Sequence, residues 1–298
     1  MPLCPRIHFY EINDQSWLPP YIRQKVQSCL TLAWTLKLPL IQSLSPAQLV
    51  SSTLLRVLAG DVTKYTFVDF CAGAGGPTPT IERDLNRRLT RSSGVGGRER
   101  AADGKGEWKT DPGVQFLLTD IHPHLEAWEE AAKKSDHLGF IRESVDAANA
   151  PRDLIDAQGK KVFRLFNLAF HHFDDPLARQ ILKNTIETAD GFGIFELQDR
   201  TVSSLLTIFI MGLLFVLITP IFFWRSPGHL LFHYIIPVIP VVLIFDGYIS
   251  SLRTRSVDEV LGLLDGKAAQ TAGWKFTSGS EMHTWPIGHM IWIVGVKQ

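Results

Sequence analysis

The residues best suited to chemistry sit in one short run, Phe67-Val68-Asp69-Phe70-Cys71-Ala72-Gly73-Ala74-Gly75-Gly76-Pro77-Thr78. An apolar strand leads into a turn of small side chains, and the turn leads into a helix. Small residues let a ligand come close to the backbone, and the free N–H groups that open a helix bind acceptors. Asp69, on the strand just before the turn, could receive an ammonium group or hold the turn's own donors. A Gly-rich turn that binds nothing is the simpler alternative.

Three cofactor classes use such a turn. A phosphate cradle needs Gly-Lys-Ser/Thr, and no lysine follows Gly76. A dinucleotide turn needs Gly-x-Gly-x-x-Gly, and its sixth position is Thr78. The third class is S-adenosylmethionine, which carries a carboxylate, an ammonium and a ribose but no phosphate. Further along, Asp120 ends a second apolar run, and it can also be read as a helix-capping residue before Ile121-His122-Pro123. Asp146-Ala147 follows a third run, with a solvated loop as the alternative. Asn167-Leu168-Ala169-Phe170-His171-His172-Phe173 follows a fourth. Ligands of α/β sheets lie beyond the carboxyl ends of the strands, so His171 or His172 could take a proton from a substrate there. Otherwise one imidazole packs and the other bonds the backbone. Adjacent histidines are expected to diverge and no third ligand stands out, so no metal site is expected.

With these residues in view, the chain resembles the class I S-adenosylmethionine-dependent methyltransferases. Their first motif is Asp/Glu-x-Gly-x-Gly-x-Gly, and Asp69-Phe70-Cys71-Ala72-Gly73-Ala74-Gly75 matches it with Cys71 in place of the first glycine. The resemblance implies that Asp69, Cys71, Ala72, Gly73, Ala74 and Gly75 cup the cofactor. It implies that Asp120, beside Ile121, receives the ribose hydroxyls, and that Asp146-Ala147 meets the adenine amino group. It places Asn167 at the cofactor's reactive end and His171 or His172 beside the acceptor. The segments His8–Pro19 and Phe245–Ser256 are similar to a membrane-associated bacterial and fungal subgroup of that family. The activity implied is direct displacement of a methyl group from the sulfonium to a lipophilic small molecule. Two other readings remain: a rearrangement or cyclisation assisted by the sulfonium charge, and a non-catalytic membrane scaffold.

The elements that must position these residues read as follows. Residues 1–60 hold two helices, 21–38 and 46–59, and form a lid or packing layer. Residues 61–200 alternate strands (65–70, 114–119, 140–145, 162–168, 193–197) with helices (80–89, 123–138, 176–189). This alternation implies a mostly parallel α/β sheet covered by helices on both faces, and the resemblance implies that it is the doubly wound, Rossmann-like methyltransferase type. Asp175 is the expected cap of the third helix, and residues 91–113 read as a surface loop. Residues 201–252 contain two uncharged runs, Leu205–Trp224 and Leu230–Phe245, the second broken by Pro237 and Pro240. The first is long enough to cross a hydrocarbon core. Residues 253–298 return to a capped helix and two strands. Because the sheet is completed after the insertion, Arg200 and Arg253 must lie on one side of any membrane. The apolar segment 201–252 is therefore expected to be a hairpin that contacts lipid, with Arg225 at its tip and the catalytic domain facing the cytoplasm. A buried subdomain or an oligomer interface is the alternative.

Composition agrees with an ordinary core. Apolar residues make up 45% of the 298, with 30 basic and 30 acidic side chains. Zero net charge argues against nucleic acid as a partner. Three cysteines, Cys4, Cys29 and Cys71, are too few and too scattered for a disulfide framework, which suits a reducing compartment. Residues 1–23 contain Glu11 and Asp14 and no continuous apolar run, so they do not read as a secretory signal.

Overall fold

The computed structural model describes residues 2–92, 113–151, 159–264 and 271–298. Most of the 91–113 stretch read as a surface loop therefore lies outside the described residues. Seven strands form one sheet: β1 Tyr65–Phe70, β2 Phe116–Thr119, β3 Leu138–Phe140, β4 Lys161–Asn167, β5 Gly191–Glu196, β6 Trp274–Thr284 and β7 Gly288–Lys297. Their order is β3-β2-β1-β4-β5-β7-β6, and only β7 runs against its neighbours. This is the Rossmann-like methyltransferase arrangement, with the order of strand addition reversing between β1 and β4, which remain parallel.

The central strands are buried on both faces, which explains their nearly unbroken apolar runs. Side chains of β1 alternate between two cores. Tyr65 and Phe67 join the core under helices α2 Pro46–Leu58, α3 Thr78–Ser92 and α4 Leu125–Ala132. Val68 and Phe70 join the core under α5 Asp175–Thr188 and α9 Val257–Gly262. Phe67 stacks on Phe116 at 4.8 Å and tilts against Phe163 at 5.0 Å, so an aromatic ladder pins the register of β2, β1 and β4. Each of these fully buried rings is worth about 2–3 kcal/mol by area.

A third core joins α1 Pro20–Thr35 to α6 Val202–Phe222 and α8 Val238–Arg253, through Val26, Cys29, Phe215, Ile218, Ile239 and Val242. The second apolar run is not one helix. After the short α7 Pro227–Leu230 comes a π-turn at Leu231–Ile235, and α8 then departs at 75° to the preceding segment. Pro237 sits at that break. Pro240 is accommodated in the first turn of α8, where its missing N–H would have had no intrahelical partner. Among the described residues, α6 is the single helix long and apolar enough to cross a membrane, and the bent pair passes the same test only if taken as one broken span.

Local expectations shift in four places. The 123–138 helix is shorter, Leu125–Ala132, and residue 138 belongs to β3 instead. The 140–145 strand is β3 at Leu138–Phe140; only three residues pair, and so short a run is easily misplaced by periodicity. Asp174 rather than Asp175 caps α5, accepting from the Leu177 N–H. The 46–59 helix ends at Leu58, and the chain continues as a 3-10 turn, Ala59–Lys64.

Helices α6 and α8 approach closely because Gly212 and Gly247 have no side chain there. A Cβ on Gly212 would lie 2.3 Å from Ile244, and one on Gly247 would lie 2.7 Å from Ile208. Replacing Gly212 by Val should push the pair apart and destabilise the hairpin by about 1–3 kcal/mol. Thermal unfolding would register this as a lowered midpoint, and limited proteolysis as earlier cleavage in the hairpin.

Candidate functional site

The Gly-rich turn is held by side chains from three strands. Asp69 is 2% exposed at the carboxyl end of β1. One of its oxygens accepts from the Thr78 hydroxyl at 2.5 Å and the other from the Asn167 amide at 3.2 Å. It thus ties the first turn of α3 and the last residue of β4 to β1. Burial pushes the Asp69 carboxyl up to about 7, against the pull of these two donors. Of the two roles open to Asp69 from sequence, the structure displays the holding role, with a hydroxyl and an amide in place of backbone donors.

Asp120 ends β2 and points back at the turn. Its Oδ2 accepts from the Gly73 N–H at 2.8 Å and its Oδ1 from the His122 N–H at 2.8 Å. An ionised carboxylate has about four lone-pair positions, so two remain for other donors. Trp128 clamps the far side of the turn by donating its indole N–H to the Gly73 carbonyl at 2.8 Å. Cys71 stands at φ +61°, a left-handed conformation that glycine adopts more easily. The cost of a non-glycine residue there is on the order of 1 kcal/mol. Gly73, at φ +51°, has open space where a Cβ would project, with no atom within 4 Å. Ala72 and Gly75 are buried beneath the turn, and Ala74 is exposed on it.

The other anticipated positions lie near the same turn. Ile121 lies half exposed beside Asp120. The Val145 N–H donates to the Asp120 carbonyl, which brings Asp146 and Ala147 to the end of β2. Asp146 is exposed and accepts from the Ala148 N–H, while Ala147 is buried. Asn167 reaches Asp69 as described. The structure therefore collects Asp69, Cys71, Ala72, Gly73, Ala74, Gly75, Asp120, Ile121, Asp146, Ala147 and Asn167 along one edge of the sheet.

The residue after Asn167, Leu168, lies on the wall of a second feature, a cavity of about 200 Å³. Its walls are mostly apolar and come from α1 (Val26, Leu30), α6 (Met211, Phe215) and α8 (Leu243). Its polar end carries Glu11, Asn13, His171 and His172. A 3-10 turn at Phe170–His172 sets both imidazoles on the same side. Their centroids are 4.3 Å apart, so the expected divergence of adjacent histidines does not occur. His171 Nδ1 meets Glu196 at 2.8 Å, and its Nε2 faces Glu11 at 3.5 Å. His172 Nδ1 meets Asp14 at 3.1 Å, and its Nε2 faces Glu11 at 3.9 Å. Arg253 bonds Glu11 at 3.1 Å and Asp14 at 3.4 Å, and donates to the His172 carbonyl at 3.0 Å.

Burial alone would lower the pKa of His171. The carboxylates of Glu196 and Glu11 outweigh it and raise the imidazole to about 9. Glu11 is held below the usual range. Its burial opposes this, but the two histidines prevail.

Glu11, Asp14, Glu196 and Arg253 were not singled out from the sequence as site residues. Glu196 ends β5, and the rule that found Asp120 at the carboxyl end of β2 would have found it. Glu11 and Asp14 lie about 160 residues from the histidines they meet, and no local spacing announces such a pairing.

No family model matches the chain, and no curated protein matches it. Among solved structures, the chain is similar to the plantazolicin methyltransferase BpumL in complex with a desmethyl plantazolicin analogue and SAH, with 12% identity, 95% of this chain and 93% of that chain covered, and a TM-score of 0.50. Weaker likenesses include the mitomycin 7-O-methyltransferase MmcR, with 13% identity, 85% and 55% covered, and a TM-score of 0.44. Another is the magnesium protoporphyrin IX methyltransferase ChlM from Synechocystis PCC 6803, with 11% identity, 84% and 83% covered, and a TM-score of 0.42.

His171 holds its proton more tightly folded than unfolded. It therefore contributes stability that is complete below its ordinary pKa of 6.5 and is lost as pH rises through about 9. The loss should be on the order of 3 kcal/mol. Denaturant titrations at pH 6 and pH 10 should differ by that amount in the wild type, and the difference should shrink in Glu196→Gln. Together the sheet order and the Gly-rich turn at the carboxyl end of β1 give this chain the fold of the class I S-adenosylmethionine-dependent methyltransferases.

Proposed function

We propose that this chain is an S-adenosylmethionine-dependent methyltransferase acting on a lipophilic small molecule. The observation that carries this reading is the junction at β4. Asn167 is bonded to Asp69 under the Gly-rich turn, and the next residue, Leu168, lines the apolar cavity. A donor held at the turn and an acceptor held in the cavity would meet there.

The residues present fit the cofactor. Gly73 faces open space where a backbone-hugging ligand needs it. Asp120 keeps lone pairs for two ribose hydroxyls while it orients the turn. Ile121 offers an exposed apolar face and Asp146 an exposed carboxylate for a purine edge. When bound, S-adenosylmethionine supplies a methyl group already activated on a sulfonium, so the protein need only align the acceptor and exclude water. The cavity performs the second task. An apolar cavity of roughly 150 Å³ admits benzene, so this one suits an acceptor that inserts a substituted ring or a short branched chain.

An acceptor hydroxyl or amine has a proton to lose. His171 already carries one between Glu196 and Glu11, so it holds a proton and orients Glu11 rather than accepting. His172 is the better base. Asp14 takes its Nδ1–H, which leaves the Nε2 lone pair at the cavity's polar end.

The hairpin gives the acceptor a route. Leu206, Ile210, Leu213, Leu217 and Ile221 form one exposed apolar stripe along α6, with Leu217 72% and Ile221 69% exposed. Exposed apolar area of this extent favours contact with lipid. The inner face of α6 packs on α1 and α8, so the hairpin would dip into one leaflet with the sheet on the cytoplasmic side. The membrane-associated subgroup resemblance supports the same reading.

Two measurements test the proposal. Incubation with S-adenosylmethionine and a panel of apolar phenols and amines should release S-adenosylhomocysteine in proportion to methylated product. Asp120→Asn should lower kcat/KM about tenfold or more, a loss of about 1.4 kcal/mol. Product without S-adenosylhomocysteine would favour a rearrangement instead. In liposome flotation the wild type should rise with the vesicles, while Leu213→Glu/Leu217→Glu stays below. If both stay below, the lipid reading is lost.

A further inference from the structure

The polar end of the cavity has features that proton handling alone does not require. His171 and His172 both turn Nε2 toward Glu11, at 3.5 and 3.9 Å. One donor atom from each of the three residues can be chosen so that all lie within 4.8 Å of one another. Ligands about 2.0–2.2 Å from a tetrahedral ion are roughly 3.3–3.5 Å apart; His171 Nε2 already stands 3.5 Å from Glu11 Oε1, while His172 Nε2 stands 3.9 Å from Glu11 Oε2, so the three groups would draw together around an ion. We propose that Glu11, His171 and His172 bind a divalent first-row transition-metal ion, of the zinc, iron or manganese kind, at the polar end of the cavity.

Each ligand has the outer partner such a site needs. Metal-bound histidines commonly give their other ring N–H to a carboxylate, which fixes the tautomer and turns the free lone pair inward. His171 has Glu196 on Nδ1 and His172 has Asp14 on Nδ1. Glu11 is held at Oε1 by the Ser250 hydroxyl at 2.8 Å and by Arg253 at 3.1 Å, which leaves Oε2 toward His172. A bound ion would displace the proton that His171 holds between Glu196 and Glu11; with both imidazoles then neutral, the three carboxylates Glu11, Asp14 and Glu196 face one contacting guanidinium. The cluster then has two negative charges in excess, the charge a divalent ion neutralises. Asn13 adds an independent sign. It lines the same cavity, and its buried Oδ1 has no hydrogen-bond partner among the described residues. Two imidazoles and a carboxylate suit a borderline ion better than calcium or magnesium, which prefer oxygen alone.

The use of such an ion rests on the methyl-transfer reading. Three protein ligands leave an open position facing the cavity. An acceptor oxygen bound there would lose its proton more readily, and His172 would serve as a ligand rather than a base. The binding site itself does not depend on that reading.

The test is a calorimetric titration of chelator-treated protein with zinc chloride, repeated on His172→Ala. His172 is one-third exposed, so its loss should leave the fold intact, and circular dichroism checks this. The wild type should take up one more zinc per chain than the variant. Cobalt(II) loading should give a visible absorption band that the variant lacks. Identical titrations for the two proteins, or no cobalt band in the wild type, would overturn the proposal. A parallel titration with S-adenosylmethionine separates the two readings. Zinc uptake without cofactor binding would keep the site and remove the methyl-transfer role. Cofactor binding with no difference in zinc would remove the site alone.

Discussion

One buried carboxylate governs the geometry of the whole sheet edge. Asp69 sits where β1 ends, 2% exposed, and receives Thr78 from the next helix and Asn167 from the neighbouring strand. A carboxylate removed from water this completely is costly unless donors replace the water. The two donors do so, and in doing so they bring the start of α3 and the end of β4 to one point. The Gly-rich turn is what remains between the fixed ends. Asp120 and Trp128 then hold the turn from outside, through the N–H and the carbonyl of the same residue, Gly73. Those two bonds fix the backbone of Gly73, and a Cβ there would meet no atom within 4 Å.

A second network closes the molecule around the cavity. The N-terminal segment would otherwise be free to leave, since it contributes few large side chains to the main cores. It is tied down by charge and by main-chain bonds. Arg6 reaches Asp175 and the Phe173 carbonyl, Glu11 and Asp14 reach the two histidines and Arg253, and Asp246 accepts from the Ile12 and Asn13 N–H groups. The same groups that fasten this segment form the polar end of the cavity. Opening the segment for an acceptor would break ion pairs that are buried and hence costly to leave unpaired. The site and its cover are energetically one unit.

The two networks differ in how readable they were. The turn could be read because its requirements are local: small residues, an acid one step earlier, a helix one step later. The strand–helix alternation carried the sheet for the same reason. Asp174 and Asp175 stand side by side before Pro176, and pattern alone could not tell which one caps the helix. β3 was displaced because only three residues pair there. The cavity's polar end was hidden for a different reason. His171 and His172 were noticed, but Glu11 and Asp14 reach them across the whole domain, and only a fold that returns the N-terminus to β4 creates the contact. The inference that neighbouring imidazoles diverge holds for an extended strand. It failed here because a 3-10 turn follows β4 and rotates both rings to one side.

The central claim is that the Gly-rich turn after β1, with Asp120 at the end of β2, holds a sulfonium nucleoside. Isothermal titration of the purified chain with S-adenosylhomocysteine examines that claim without an acceptor, a membrane or a metal. The account predicts a saturable heat with one site per chain, absent when Gly73 is replaced by Val to fill the space above the turn. A flat titration of the wild type, or equal binding by Gly73→Val, would contradict it.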